Sequence, residues 1–184
     1  MLYCVVYFVP SALAKQVQSF REEYDPTARL IEPHLTIVFP SAGLSKELVT
    51  RHVERVLRNW SPFTVQFTGL GKSWDHWLFL LVGKGNKDVV KLHDHLYTGV
   101  LAPQQRKDLE FIPHVGLGHF GTIGEPYDVT NPTAGTLDQQ RYQRAIAEAS
   151  AFDLDFEATV SALHLIGVDE SVTKVERLTR FALK

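Results

Sequence analysis

Apolar and polar positions along this chain change period repeatedly, and the changes come in the same order twice. Residues 2–9, LYCVVYFV, are aromatic and β-branched and stop at Pro10, as a strand does. Leu13, Val17 and Phe20 then recur at helical spacing, with Ser11 placed as N-cap. The loop YDPTARLIE leads to a second strand, PHLTIVF. Val49, Val53, Val56 and Trp60 mark one face of a second helix. FTVQFTGL, residues 63–70, alternates cleanly, with Phe63, Val65 and Phe67 to one side.

The second half repeats this sequence of elements. WLFLLVG (77–83) reads as a strand, and Val89, Leu92, Leu96 and Val100 mark a helix. A charged loop (103–110) precedes the strand IPHVGLGHF. The turn-rich stretch GTIGEPYDVTNPTAG (121–135) leads to a helix carrying Tyr142, Ala145, Ile146 and Ala149. FDLDFEAT (152–159) alternates like its counterpart, with Phe152, Leu154 and Phe156 matching Phe63, Val65 and Phe67. SALHLIGVD and KVERLTRFAL form a closing pair of strands around DESVT. Duplication produces such a pattern; so does coincidence between two α+β segments. With no linker or low-complexity tract, the expected organisation is one bilobal domain over 1–184. Its halves run from about 1–71 and 76–160, followed by strands in 161–184.

Composition narrows the partners. The chain has 184 residues, 45% of them hydrophobic, enough for a core without covalent staples. A net charge of −2 provides no global polycation, so any nucleic-acid contact is local. The single cysteine, Cys4, excludes an internal disulfide and most multi-cysteine metal sites. No run approaches the roughly 18 apolar residues of a membrane span. The apolar N-terminus lacks the basic start of a secretory signal, so a cytoplasmic protein is expected.

The chemistry lies in two strands, where Pro33-His34 and Pro113-His114 recur 80 positions apart. Side chains alternate along a strand, so His34, Thr36 and Val38 share one face; His114, Gly116 and Gly118 share one face of the other. If the halves pack symmetrically, the two imidazoles meet across a cleft. Histidine changes charge near neutral pH, so such a pair can take a proton at one ring and give one at the other. The Thr36 hydroxyl can donate to an anion held between them, and phosphate is the natural candidate. No cysteine nucleophile and no GxxxxGK[ST] loop accompanies them.

Other positions carry weaker readings. Trp74 and Trp77, with Lys72, are placed to stack a base or to form a hydrophobic turn between the halves. Tyr127, in the long loop near the expected cleft mouth, is a candidate for stacking a base. Arg106 and Lys107 supply positive potential or simply a solvated loop. His119 falls on the face opposite His114 of a straight strand. His93 and His95 diverge on their helix, and His52 reads as a solvated flank. His164 suits either core or cleft. No HExxH or comparable ligand spacing occurs.

Pro-His-apolar-Thr-apolar, occurring twice about 80 residues apart in a duplicated α+β chain, resembles the two-histidine (2H) phosphoesterase superfamily. Its members include bacterial 2′-5′ RNA ligases and RNA 2′,3′-cyclic phosphodiesterases. His34-Leu35-Thr36-Ile37 matches the family motif in full. His114-Val115-Gly116-Leu117 departs from it where the second hydroxyl belongs. The resemblance implies two antiparallel-rich sheets flanking a central cleft, with helices outside. It implies cofactor-free, metal-free cleavage of a 2′,3′-cyclic phosphate or 2′-5′ linkage, by a monomer acting on RNA ends or nucleotides. His34 and His114 would be acid and base, in either order. Thr36 and the Gly116 position would hold the phosphate, Gly116 through its backbone N–H or with a substitute hydroxyl such as Thr122. A catalytically weak or inactive module that binds RNA ends or nucleotides is the alternative.

Overall fold

The computed structural model of the chain describes residues 1–122 and 135–184. The first repeat is β1 (Leu2–Phe8), α1 (Ser11–Tyr24), β2 (His34–Ser41), α2 (Lys46–Leu57) and β3 (Phe63–Lys72). The second is β4 (Trp77–Val82), α3 (Asn86–Leu96), β5 (His114–His119), α4 (Gln139–Ala149) and β6 (Phe156–Val160). Strands β7 (Ala162–Val168) and β8 (Val175–Ala182) close the chain. A 3-10 turn over Gly99–Gln104 takes Val100 out of the third helix.

Local chemistry accounts for most of the boundaries. Ser45 caps α2 by accepting from the Leu48 amide, and Asp138 caps α4 by accepting from that of Arg141. The cap of α1 is Pro10, and Ser11, expected in that role, is the first helical residue. The Asp169 carboxylate accepts from the backbone of Thr173 and Lys174 and from the hydroxyls of Ser171 and Thr173. Those bonds form the turn between β7 and β8.

The strands pair antiparallel in the order β6-β3-β4-β5-β2-β1-β7-β8. Two four-stranded lobes therefore meet at β5 and β2. They are hydrogen-bonded into one continuous sheet through a single registered pair, Leu35 with Val115. The lobes do not follow the sequence repeat. β3 leaves its own half to pair with β4, and β7 takes the place beside β1. Phe63, Val65 and Phe67 consequently lie opposite Val160, Ala158 and Phe156 as cross-strand neighbours. The matching stripe expected from Phe152 is shorter than its alternation suggested, because the strand begins at Phe156. Phe152 itself is 42% exposed.

One face of the sheet carries the helices. Leu35, Ile37, Val115 and Leu117 are buried there with Leu13 and Val17 of α1, Val53 of α2, Leu92 of α3 and Ala145 of α4. Each buried leucine or valine contributes roughly 1.5–3 kcal/mol relative to exposure. Gly118 makes the fit with α1 possible, since a Cβ there would lie 2.5 Å from the Tyr24 Cβ. His52, read as a solvated flank, is 2% exposed: its Nε2 meets the Leu96 carbonyl at 2.9 Å and its Nδ1 accepts from Arg55. His93 is buried as well and donates from Nδ1 to the Ile37 carbonyl at 2.8 Å. Both imidazoles satisfy backbone carbonyls between elements, a role that helical periodicity cannot distinguish from exposure.

Candidate active site

His34 and His114 open the two central strands, and the seam register brings them together. With Leu35 opposite Val115, antiparallel pairing places His34 opposite Gly116 and Thr36 opposite His114. All four lie on the face away from the helices. Two cross-strand rows run through them. The first is Phe8, His34, Gly116, Phe79 and Gly71; the second is Arg180, His164, Val6, Thr36, His114 and Leu81.

Each imidazole is fixed in the same way. His34 Nδ1 lies 2.9 Å from the Glu32 carbonyl and His114 Nδ1 2.6 Å from the Ile112 carbonyl. A carbonyl accepts, so in both rings Nδ1 carries a proton. Nε2 is left as the reactive nitrogen, bare when the ring is neutral. Among the described residues neither Nε2 has a hydrogen-bond partner. Phe79 stacks on the His114 ring at 3.5 Å and 19°, while Phe8 meets the His34 ring edge-on at 6.2 Å. Burial pushes the His34 imidazole down to about 4, against the upward pull of its Glu32 bond. Burial likewise pushes His114 down to about 4; the proximity of His34 adds to this and the Ile112 carbonyl opposes it. Both rings are therefore neutral at pH 7 in the free protein. An anion held between the rings would favour protonation of one of them.

The approach to His34 is anchored by a buried ion pair. Arg21 and Asp25, at the end of α1, meet at 2.7 Å with side chains 2% exposed. Arg21 also donates to the Ile31 carbonyl at 3.0 Å, and Asp25 accepts from the Thr27 amide and hydroxyl at 2.7 Å. These bonds hold the loop that delivers Pro33 and His34 to β2.

At Gly116, the departure from the motif has a structural counterpart. A Cβ on this residue would lie 3.5 Å from the Trp77 ring. The indole occupies the ground beside the missing side chain. The substitute hydroxyl considered above, Thr122, accepts instead from the Thr136 amide at 2.8 Å.

The remaining predicted positions separate. Trp74 sits on the turn before β4 and is 54% exposed; the tryptophan that reaches the seam is Trp77. Tyr127 lies outside the described residues. Arg106 pairs with Asp108 at 2.7 Å on its loop. His119 is 3% exposed, and its Nε2 donates to the Asp75 carbonyl at 2.9 Å. It does not lie opposite His114. Leu78 pairs with Gly118 and Phe79 with Gly116, so β5 carries one extra residue, a bulge. The bulge returns His119 to the face of Gly116, opposite Trp77. Phe8 and Phe79, which border the two imidazoles, were not singled out in the sequence, because their position depends on which strand lies beside which. The Arg21–Asp25 pair was not either, and His164, open in the sequence between core and cleft, lies in the row of Thr36. Among the described residues no group of three or more His, Cys, Asp or Glu is arranged to hold a metal ion. No helix among them is long and apolar enough to cross a membrane.

Paired imidazoles on the two central strands of an antiparallel bilobal sheet are the arrangement of a two-histidine phosphoesterase. A family model described as the 2′-5′ RNA ligase superfamily matches residues 9–171, and the chain belongs to that family. A Bacillus licheniformis protein bearing the name "Putative phosphoesterase" is 29% identical over 169 residues, covering 90% of this chain and 89% of its own. A similarly named Geobacillus kaustophilus protein is 22% identical, covering 90% and 87%. Among solved structures, E. coli LigT complexed with 3′-AMP superimposes with a TM-score of 0.64 at 16% identity, covering 100% of this chain and 98% of that one. A Thermus thermophilus protein does so with a TM-score of 0.64 at 18% identity, with the same coverage. These structures share the fold.

Proposed function

We propose that the chain is a metal-independent phosphodiesterase that opens 2′,3′-cyclic phosphates or cleaves 2′-5′ linkages at RNA ends or on nucleotides. The observation that carries this reading is the matched pair of imidazoles, each pinned at Nδ1 and presenting Nε2 from adjacent strands of one seam. One neutral Nε2 takes a proton from water as it attacks phosphorus. The other, protonated once the phosphate anion is bound, gives its proton to the departing ribose oxygen. The Thr36 hydroxyl, opposite His114, donates to a non-bridging oxygen, and the Gly116 backbone is the second point of approach. Each proton transfer typically contributes about 10²–10⁴ in rate. The names of the relatives and the nucleotide complexes of LigT, with 3′-AMP and with ATP, support a nucleotide phosphoester as substrate.

The test is a panel of 2′,3′-cyclic and 2′-5′-linked substrates assayed with EDTA present. Hydrolysis by the wild type, absent from a His34→Ala/His114→Ala double variant that stays folded, is the expected result. Full activity in the double variant ends the reading. The indole beside Gly116 favours one second reading, a module that binds such ends with little or no turnover. Under it, cyclic nucleotide binds and is recovered intact.

A further inference from the structure

The last hairpin, β7–β8, is unused by the chemistry just described, yet it extends the active-site face outward from His34. Three cationic or ionisable side chains line that extension. His164 lies opposite Val6, which itself lies opposite Thr36, and Arg180 lies opposite His164. At about 4.7–4.9 Å per strand step, β7 and β8 stand roughly 10 and 14 Å from β2. That span suits one to two nucleotide units. Arg177 lies over the Phe8 ring with its guanidinium carbon 3.8 Å from the centroid. Phe8 touches His34 on one side and His164, at 5.2 Å, on the other.

Two features of this patch are unexplained by folding. Arg180 is exposed and has no acidic partner among the described residues. The buried His164 Nδ1 has no hydrogen-bond partner. A buried N–H left unpaired is expensive, so the neutral ring keeps its proton on Nε2, a donor on the other side of the ring. Arg177 is held by an ion pair to Glu32, the residue whose carbonyl fixes His34. Elsewhere facing the patch, Glu32 is the acidic group that acts on His164, while Arg177, Arg180 and burial all lower its proton affinity. A bound anion would give the unpaired Arg180 a partner and the Nε2–H an acceptor, with Arg177 beside them.

We propose that Arg180, Arg177 and the His164 Nε2–H form a subsite for a second phosphate of the substrate, with Phe8 as the apolar surface between it and the reacting phosphate. The inference rests on the phosphodiesterase reading and narrows it. The preferred substrate carries a phosphate beyond the one that reacts, as an oligonucleotide end or a 5′-phosphorylated nucleotide does, and is not a lone cyclic nucleoside phosphate.

The experiment compares kcat/KM for three substrates: adenosine 2′,3′-cyclic phosphate, the same compound with a 5′-phosphate, and a dinucleotide ending in a 2′,3′-cyclic phosphate. The wild type should prefer one or both of the larger substrates by roughly ten- to a hundredfold, the range of a charge-assisted contact. Arg180→Gln should reduce that preference at least tenfold, acting through KM, and Arg180→Lys should restore part of it. Lys174→Gln, which removes a charge from the turn of the same hairpin, should leave the preference intact. Equal use of all three substrates, or a preference untouched by Arg180→Gln, overturns the subsite. Binding of adenosine 3′,5′-bisphosphate against 3′-AMP decides separately: tighter binding of the bisphosphate by wild type, lost in Arg180→Gln, supports the subsite even if no substrate is hydrolysed. Absent turnover would instead count against the phosphodiesterase reading, and equal binding of the two nucleotides against the subsite.

Discussion

His34 and His114 keep their protons on the same nitrogen by the same device. Each Nδ1 donates to the carbonyl two residues upstream, Glu32 in one strand and Ile112 in the other. The equivalence leaves two chemically similar imidazoles on adjacent strands. In the proposed mechanism their roles are separated by the substrate, according to which ring its leaving oxygen approaches. Either His34→Ala or His114→Ala should thus lower kcat by about 10²–10⁴ or more, with thermal unfolding still cooperative. A variant that unfolds would be replaced by His→Gln, which retains a polar side chain; wild-type turnover in either position's folded variant contradicts the mechanism.

Proton affinity follows from the burial of this pair. Both imidazoles are depressed from the ordinary 6.5 to about 4 in the folded chain. Between those values the unfolded chain binds more protons than the folded one, so folding stability rises with pH across the window. The stabilising contribution is complete above about 6.5 and is lost as pH falls toward 4. Denaturant midpoints should therefore drop from pH 7 to pH 5, and less steeply in the double alanine variant. Nitrogen chemical shifts of the two rings should report neutral imidazole at pH 6, and added inorganic phosphate should raise one titration. Midpoints near 6.5 in the free protein would refute this account of the site.

Thr36 shares a cross-strand row with His114, from which the proposed mechanism has its hydroxyl donate to the phosphate. Replacing it with valine preserves shape and β-branching and removes the donor. Loss of one such donor costs about 10²–10³ in kcat in comparable oxyanion sites. Equilibrium unfolding should scarcely change, which separates this effect from damage to the strand.

Gly116 faces Trp77, and a Cβ there is in ordinary contact at 3.5 Å. Gly116→Ser should therefore fold and hydrolyse at least as fast as wild type, because it adds a donor where the family motif has one. Gly116→Ala is the control for bulk. If serine and alanine both eliminate turnover, close approach of the glycine backbone to the phosphate is the essential feature.

The Arg21–Asp25 pair links α1 to the loop before His34. Removing one partner leaves a buried charge uncompensated, which costs about 3–5 kcal/mol. Arg21→Met should show that loss in urea unfolding. It should also lower kcat, since the guanidinium donates to the Ile31 carbonyl and holds the Asp25 carboxylate that accepts from Thr27.

Local periodicity made much of this protein legible. Alternation within PHLTIVF placed His34 and Thr36 on one face, and the recurrence at His114 identified the pair. Helical spacing located α1 to α4, and turn residues marked the final hairpin. These features depend on residues a few positions apart, whose geometry is set by backbone sterics and side-chain direction. The remainder depended on strands far apart in sequence becoming neighbours. Pairing of Leu35 with Val115 decided that Thr36 faces His114. The exchange of β3 and β7 between lobes set Phe63, Val65 and Phe67 against the strand they resemble. A single extra residue in β5 moved His119 to the other face, and cross-strand packing put Trp77 beside Gly116 and Arg180 in line with Thr36. Register between distant strands is fixed by burial and hydrogen bonding summed over the whole sheet, so only the folded chain decides it.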